Sequence, residues 1–160
     1  MSNNKGTPLH QAMLTRESRK VRELLSCGAD VEEHDRDGRT PLFYAAAEGD
    51  FEIASELIKN RANVKARDKH GETPLHAAAR EYRPELIRLL LENSANVDAE
   101  DEYGNTPLGT AVFESRGRGE VIKLLLAAGA DRERKNKYGM SPEKLANAIE
   151  NYDVKQFFRG

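Results

Sequence analysis

The side chains in this chain best suited to metal ligation, base catalysis or nucleophilic attack are His10, His34, His70, His76 and the single cysteine, Cys27. Metal sites draw on closely spaced histidines, cysteines and carboxylates. His34 and His70 have no such partners in the sequence and read as surface histidines in loops, while Cys27 reads as a free structural thiol near a helix end. There is no Gly-x-Ser-x-Gly elbow, no phosphate-binding loop and no dinucleotide fingerprint. The expectation is therefore a protein that is not an enzyme, with no catalytic residue, no metal and no cofactor. Two further segments invite a chemical reading. Arg116-Gly117-Arg118-Gly119 has the composition of an RNA-contacting segment, but one short copy reads more simply as a loop insertion. The basic run RERKNK (132–137) has the composition of a nuclear signal or a phosphate patch.

Composition narrows the partners. The 160 residues carry 25 basic and 27 acidic side chains, a net charge of -2, so the long-range pull that drives non-specific binding to nucleic acid or anionic membranes is missing. Hydrophobic residues make up 38% and charged residues 32%, a balance that suits either disorder or a fold with a thin core and much surface. No apolar stretch is long enough to span a bilayer. The polar start, MSNNKGTPLH, lacks the basic residues and apolar run of a secretion signal. One cysteine fits a reducing compartment. The expected location is cytoplasmic.

The elements that position these residues emerge from repetition. Thr-Pro-Leu begins at Thr7, Thr40, Thr73 and Thr106, always 33 residues apart, and Ser141-Pro142 follows after 35, the extra two residues falling in SRGRGE (115–120). Threonine before proline is a helix start, because the hydroxyl caps free N–H groups and proline suits the first turn. Small apolar residues then recur at helical spacing: Leu9, Ala12 and Met13; Leu42, Ala45 and Ala46; Leu75, Ala78 and Ala79; Leu108, Ala111 and Val112. A second helix carries larger ones, such as Ile53, Leu57 and Ile58 or Ile87, Leu90 and Leu91, among charged residues that face water. It ends at Gly28 or Gly129, and a further glycine turn follows at Gly38, Gly71, Gly104 and Gly139. Each unit is thus a turn, a short alanine-rich helix, a longer helix and a loop. Units that bury their faces on one another need no thick core.

The strings GRTPLFYAAAEGD, HGETPLHAAAR and LLLAAGAD resemble the ankyrin repeat, and the likeness extends from about residue 5 to about residue 158. It implies an all-α solenoid of helix-turn-helix repeats with β-turn fingers, four full repeats and a degraded C-terminal capping repeat. The whole chain, 1–160, is expected to be one domain, with repeats at about 5–34, 35–67, 68–100, 101–135 and 136–160. In this family the histidines of Thr-Pro-Leu-His, here His10 and His76, orient the turn by hydrogen bonding.

The resemblance also implies a concave binding face made of fingers and short helices, and so a protein partner. On the fingers lie Arg36, Asp37 and Arg39; Lys69, His70 and Glu72; Glu102, Tyr103 and Asn105; Lys137, Tyr138 and Met140. Closing the loops are His34, Arg67, Glu100 and Lys135, and the short helices end in Ala47 and Glu48, Arg80 and Glu81, and Phe113 and Glu114. Tyr103, Tyr138 and Phe113 are the natural anchors, since a solvated finger has no folding reason for large apolar surface; the alternative is that the two tyrosines pack together and stiffen the array. Arg36, Arg39, Arg67, Lys69 and Arg80 cluster on the second and third repeats, which suggests an acidic patch on the partner. The acidic run DAEDE (98–102) and the basic RERKNK occupy successive fingers, the pattern of a protein-binding edge.

Departures from the repeat carry their own expectations. Arg61 and Ser94 stand at the helix-ending glycine position, and if their backbones are left-handed each is strained by about 1 kcal/mol. Tyr82, followed by Pro84, stands at the position of Gly49, and the pair is expected to start the third outer helix from a stiffer turn. Tyr44, on an inner helix, is expected to pack in the core. Glu143 replaces leucine in the last unit, as suits an end facing water, and a final helix near NYDVKQFF is expected to cover the preceding repeat with Phe157 and Phe158. Both ends are closed, so a monomer is expected. The function implied is a non-enzymatic protein-interaction module; a regulatory subunit of an enzyme is a weaker alternative. The segment GMSPEKLANAIENYDVKQFF further resembles the tails of small bacterial ankyrin proteins, several of which act as immunity proteins. That likeness implies neutralisation of a cognate toxin.

Overall fold

The computed structural model describes residues 7–159; the expectations placed on MSNNKG and on Gly160 lie outside them. The described chain forms helix pairs in regular succession: α1 (Pro8–Leu14) with α2 (Ser18–Ser26), α3 (Pro41–Glu48) with α4 (Phe51–Lys59), α5 (Pro74–Arg80) with α6 (Pro84–Glu92), and α7 (Pro107–Glu114) with α8 (Glu120–Ala127). A ninth helix, α9 (Pro142–Ala148), is followed by a 3-10 turn, Val154–Phe158. No strand occurs among the described residues. Short helices stack on short helices and long on long. Alanine lets the inner row approach closely (Ala45, Ala46, Ala78, Ala79 and Ala111 are fully buried), whereas the outer row is spaced by Ile53, Leu57, Ile87, Leu90, Ile122 and Leu125. A tighter inner row bends the stack toward itself.

The helix starts follow from chemistry local to each threonine, with one exception. Thr7, Thr73, Thr106 and Ser141 each accept an N–H from the third helical residue. Thr40 does not: its hydroxyl is buried with no partner. In α1 and α5 that residue is histidine, and the imidazole also accepts from the threonine; in α3 it is Phe43, whose N–H goes to the Thr40 main-chain carbonyl at 3.0 Å and not to the hydroxyl. Proline and the extended threonine backbone are enough to start α3 there.

The helix ends bear out the left-handed backbones expected at Arg61 and Ser94, whose φ of 69° and 65° stand beside 83° at Gly28 and 87° at Gly129. The turn at Tyr82 is left-handed as well, with φ of 56° where Gly49 has 80°. Arg61→Gly is accordingly expected to stabilise the fold by about 1 kcal/mol and raise the thermal midpoint by about 2–4 °C. Differential scanning calorimetry tests this, and an unchanged or lower midpoint would contradict it.

Tyr82 is nevertheless retained in a useful place: it is buried, its hydroxyl donates to the Arg118 carbonyl, and the Arg118 guanidinium lies 3.9 Å from its ring centre. Arg118 thus belongs to the packing of the two-residue insertion and is not a free arginine. At the C-terminal end the expected helix is only the five-residue 3-10 turn. It is too short to nucleate an α-helix, yet it buries Val154 and Phe158 and half-buries Phe157 against the array.

Candidate protein-binding face

Each finger is built on one side chain. Asp35, Asp68, Asp101 and Asn136 present a side-chain oxygen to two backbone N–H groups, two and four residues on, at 2.8–3.0 Å. That pair of bonds winds the chain into a β-turn, closed by Asp35 N–H to the Arg39 carbonyl and its equivalents. These four residues carry no motif of their own in the sequence, although their spacing of 33, 33 and 35 repeats that of Thr-Pro-Leu. Successive fingers are tied by main-chain bonds: Lys69 N–H to Asp37 carbonyl (2.9 Å), Glu102 to His70 (2.7 Å) and Lys137 to Tyr103 (2.9 Å).

Beneath the fingers, His10 and His76 act as staples. Each imidazole Nδ1 lies 3.0 Å from its own threonine hydroxyl, and each Nε2 lies 2.9–3.1 Å from a carbonyl of the next repeat, Arg39 or Asn105. A carbonyl can only accept, so Nε2 carries the proton. Burial holds the His76 pKa below its ordinary value of 6.5. Tyr44 is half-buried, as expected of a core residue, and does more: its hydroxyl donates to the Asp35 carboxylate at 2.6 Å, and burial with that bond pushes its pKa up to about 12. Burial works against ionisation of Asp35 as well, but its hydrogen bonds from Tyr44 and from the Arg39 and Asp37 amides outweigh it and lower the pKa.

The expected contact residues divide into two sets. In the first, each side chain already has a partner within the fold. Arg80 pairs with Glu72, and Arg39 with Asp37 (3.8 Å) and the buried Asp68 (3.7 Å). His70 meets Glu102 at 2.6 Å, Glu48 pairs with Arg16, and the Arg67 guanidinium donates to the Glu100 carbonyl. Asn105 joins the finger scaffold through Asp101 and Asn136. The two oppositely charged runs also face each other, with Arg134 and Glu100 3.0 Å apart. The second set is unspent: Arg36, Lys69, Glu81 and Lys137 are exposed and have no ion pair among the described residues. Tyr103 and Tyr138 stack with ring centres 6.4 Å apart yet stay 48% and 77% exposed, and Phe113 is 70% exposed. The neighbouring Glu102 carboxylate raises the Tyr103 pKa. His34 is an exposed turn residue bonded to the Gly38 carbonyl, and Cys27 is exposed at the end of α2. Among the described residues no group of three or more metal-ligating side chains gathers, and no helix is long and apolar enough to cross a membrane.

Stacked helix pairs with a ladder of linked β-turns define a helical repeat array, a scaffold whose one continuous face is presented by short helices and fingers. Residues 1–68 and 56–136 match the model of ankyrin repeats (3 copies), and the chain belongs to the ankyrin-repeat family. A stretch of 47 residues, 29% of this chain, is 49% identical to the nuclear factor NF-kappa-B p105 subunit of Gallus gallus and corresponds to 5% of that protein's length. Ankyrin repeats are generally non-enzymatic modules of protein–protein interaction.

Proposed function

We propose that this protein binds another protein through its concave face and fingers and has no activity of its own. The observation that carries the reading is the exposure of Phe113 and Tyr138, at 70% and 77%, on a face where Ala45, Ala46, Ala78, Ala79 and Ala111 are fully buried. Large rings left in water by a closely packed fold are the anchors interfaces use. Arg36, Lys69 and Lys137 supply uncommitted positive charge along the same row of fingers, and an acidic patch on the partner complements it. Arg39 and Arg80 are poor choices for testing this, because removing either would strand Asp68 or Glu72.

The test is affinity capture on the native chain and on a chain carrying Arg36→Glu, Phe113→Ala and Tyr138→Ala, with mass spectrometry and titration calorimetry of what is retained. A protein held by the native chain and at least about tenfold more weakly by the variant supports the reading. Equal retention by both, or retention of nothing, overturns it. Toxin neutralisation is the narrower form of the same proposal. It requires the retained protein to be an enzyme whose activity falls on binding.

A further inference from the structure

The fourth residue of each Thr-Pro-Leu unit fills a slot between adjacent repeats: His10, Phe43 and His76 are all buried there. In α7 the residue is Gly109, and the slot is empty. A hollow of about 390 Å3 opens above it on the face of short helices and fingers, walled by Phe113 of α7, by Pro142 and Leu145 of α9, and by Met140 of the last finger. A methyl group built on Gly109 would make ordinary contacts with the Thr106 hydroxyl at 3.8 Å and Pro142 at 3.9 Å, so a side chain has room to start into the slot. The volume lies within the ~300–1,000 Å3 of ligand-accepting clefts.

Charge at the rim decides what suits it. The Glu72–Arg80 and Glu100–Arg134 pairs cancel. The Asp101 carboxylate also lines the hollow but is held by the Tyr103 and Asn105 N–H groups of its own finger. Glu114 is left over: among the described residues no cation pairs with its carboxylate, and Arg118 reaches only its main-chain carbonyl, at 3.3 Å. Glu81, at the matching end of α5, is likewise unpaired and exposed.

We propose that the hollow above Gly109 is the anchor pocket for a protein segment that presents a leucine, methionine or phenylalanine side chain beside a lysine or arginine. The apolar side chain enters between Phe113, Pro142 and Leu145, and the cation meets Glu114. This rests on the protein-binding reading and adds which part of the face holds the partner most tightly, and by what chemistry.

The experiment uses the full chain and a panel of short synthetic peptides carrying leucine, methionine or phenylalanine followed by lysine or arginine. Matched peptides carry alanine at the apolar position or glutamate at the basic one, and binding is read by fluorescence polarisation. The wild type is expected to bind the apolar–basic peptides at least about tenfold better than either control. Gly109→His, which puts into α7 the residue that α1 and α5 already carry, fills the slot. It is expected to abolish that preference while the thermal midpoint stays level or rises. Glu114→Lys is expected to shift the preference toward the glutamate peptides. Equal binding of matched peptides by the wild type, or an undiminished preference in Gly109→His, overturns the inference. A protein captured by the native chain and held equally by Gly109→His also overturns it, while leaving the wider protein-binding reading intact.

Discussion

Replacement of His76 by alanine is expected to destabilise the fold by about 3 kcal/mol and to lower the thermal midpoint by about 6–12 °C. His76 is wholly buried and holds two structures at once, the start of α5 through Thr73 and the next finger through the Asn105 carbonyl. Alanine leaves a cavity and deprives both partners. In an array where each unit contacts only its neighbours, a weakened junction also lets the two sides melt apart. A broadened or split calorimetric transition is the accompanying sign, and a shift smaller than about 3 °C would show the staple to be dispensable. The same residue gives the stability a pH dependence. Because burial lowers the folded-state pKa, the unfolded chain takes up a proton at a higher pH than the folded one. The contribution is therefore full above the ordinary value of 6.5 and is lost as pH falls below it. His76→Phe makes the separation clean, since Phe43 shows that phenylalanine is buried in the equivalent slot. The stability advantage of the wild type over His76→Phe should shrink from about pH 7 to about pH 5 in urea titrations. An advantage that holds constant would place the pH dependence elsewhere.

Gly119→Ala is the second large effect, a loss of about 1–3 kcal/mol concentrated at the C-terminal end. Gly119 precedes α8 with φ of -110°, a backbone open to any residue, so the cost is purely steric. A methyl group there would lie 2.2–2.6 Å from three atoms of the Phe157 ring, which also carries the Lys123 ammonium 5.3 Å from its centre. The ring must swing away, which is expected to loosen the turn that buries Val154 and Phe158 over the last helices. Faster tryptic cleavage after Lys155, followed by mass spectrometry, reads this directly. Phe157→Ala removes the clash, so adding Gly119→Ala to it should cost little more. Additive losses would mean that Gly119 matters for another reason.

The architecture was legible because its determinants are local and recur. Thr-Pro starts, alanine stripes and glycine stops each act within a few residues, and the 33-residue spacing locates every copy. Even the left-handed backbone at Arg61 and Ser94 was readable, because one unit supplied the glycine that another lacked. The Asp35, Asp68, Asp101 and Asn136 scaffold was equally periodic and went unread, its side chains being ordinary polar residues in a polar loop. The face was legible only as a set of positions. Sequence register puts Arg36, Arg39, Arg67, Lys69 and Arg80 on one side of the array, but whether each charge is free depends on neighbours in the next unit.

By itself, then, the sequence determined the fold and its register and nominated the row of residues proposed to meet a partner, since backbone propensity and periodic burial act along the chain. Only the tertiary structure decided that Arg39 and Arg80 are committed to Asp68 and Glu72. It also decided that the Thr40 hydroxyl is buried without a partner, and that Gly109 leaves a hollow rather than a flexible point. Ion pairing, hydroxyl satisfaction and empty volume depend on side chains brought within a few ångströms of one another, and stacking brings together residues about one repeat apart.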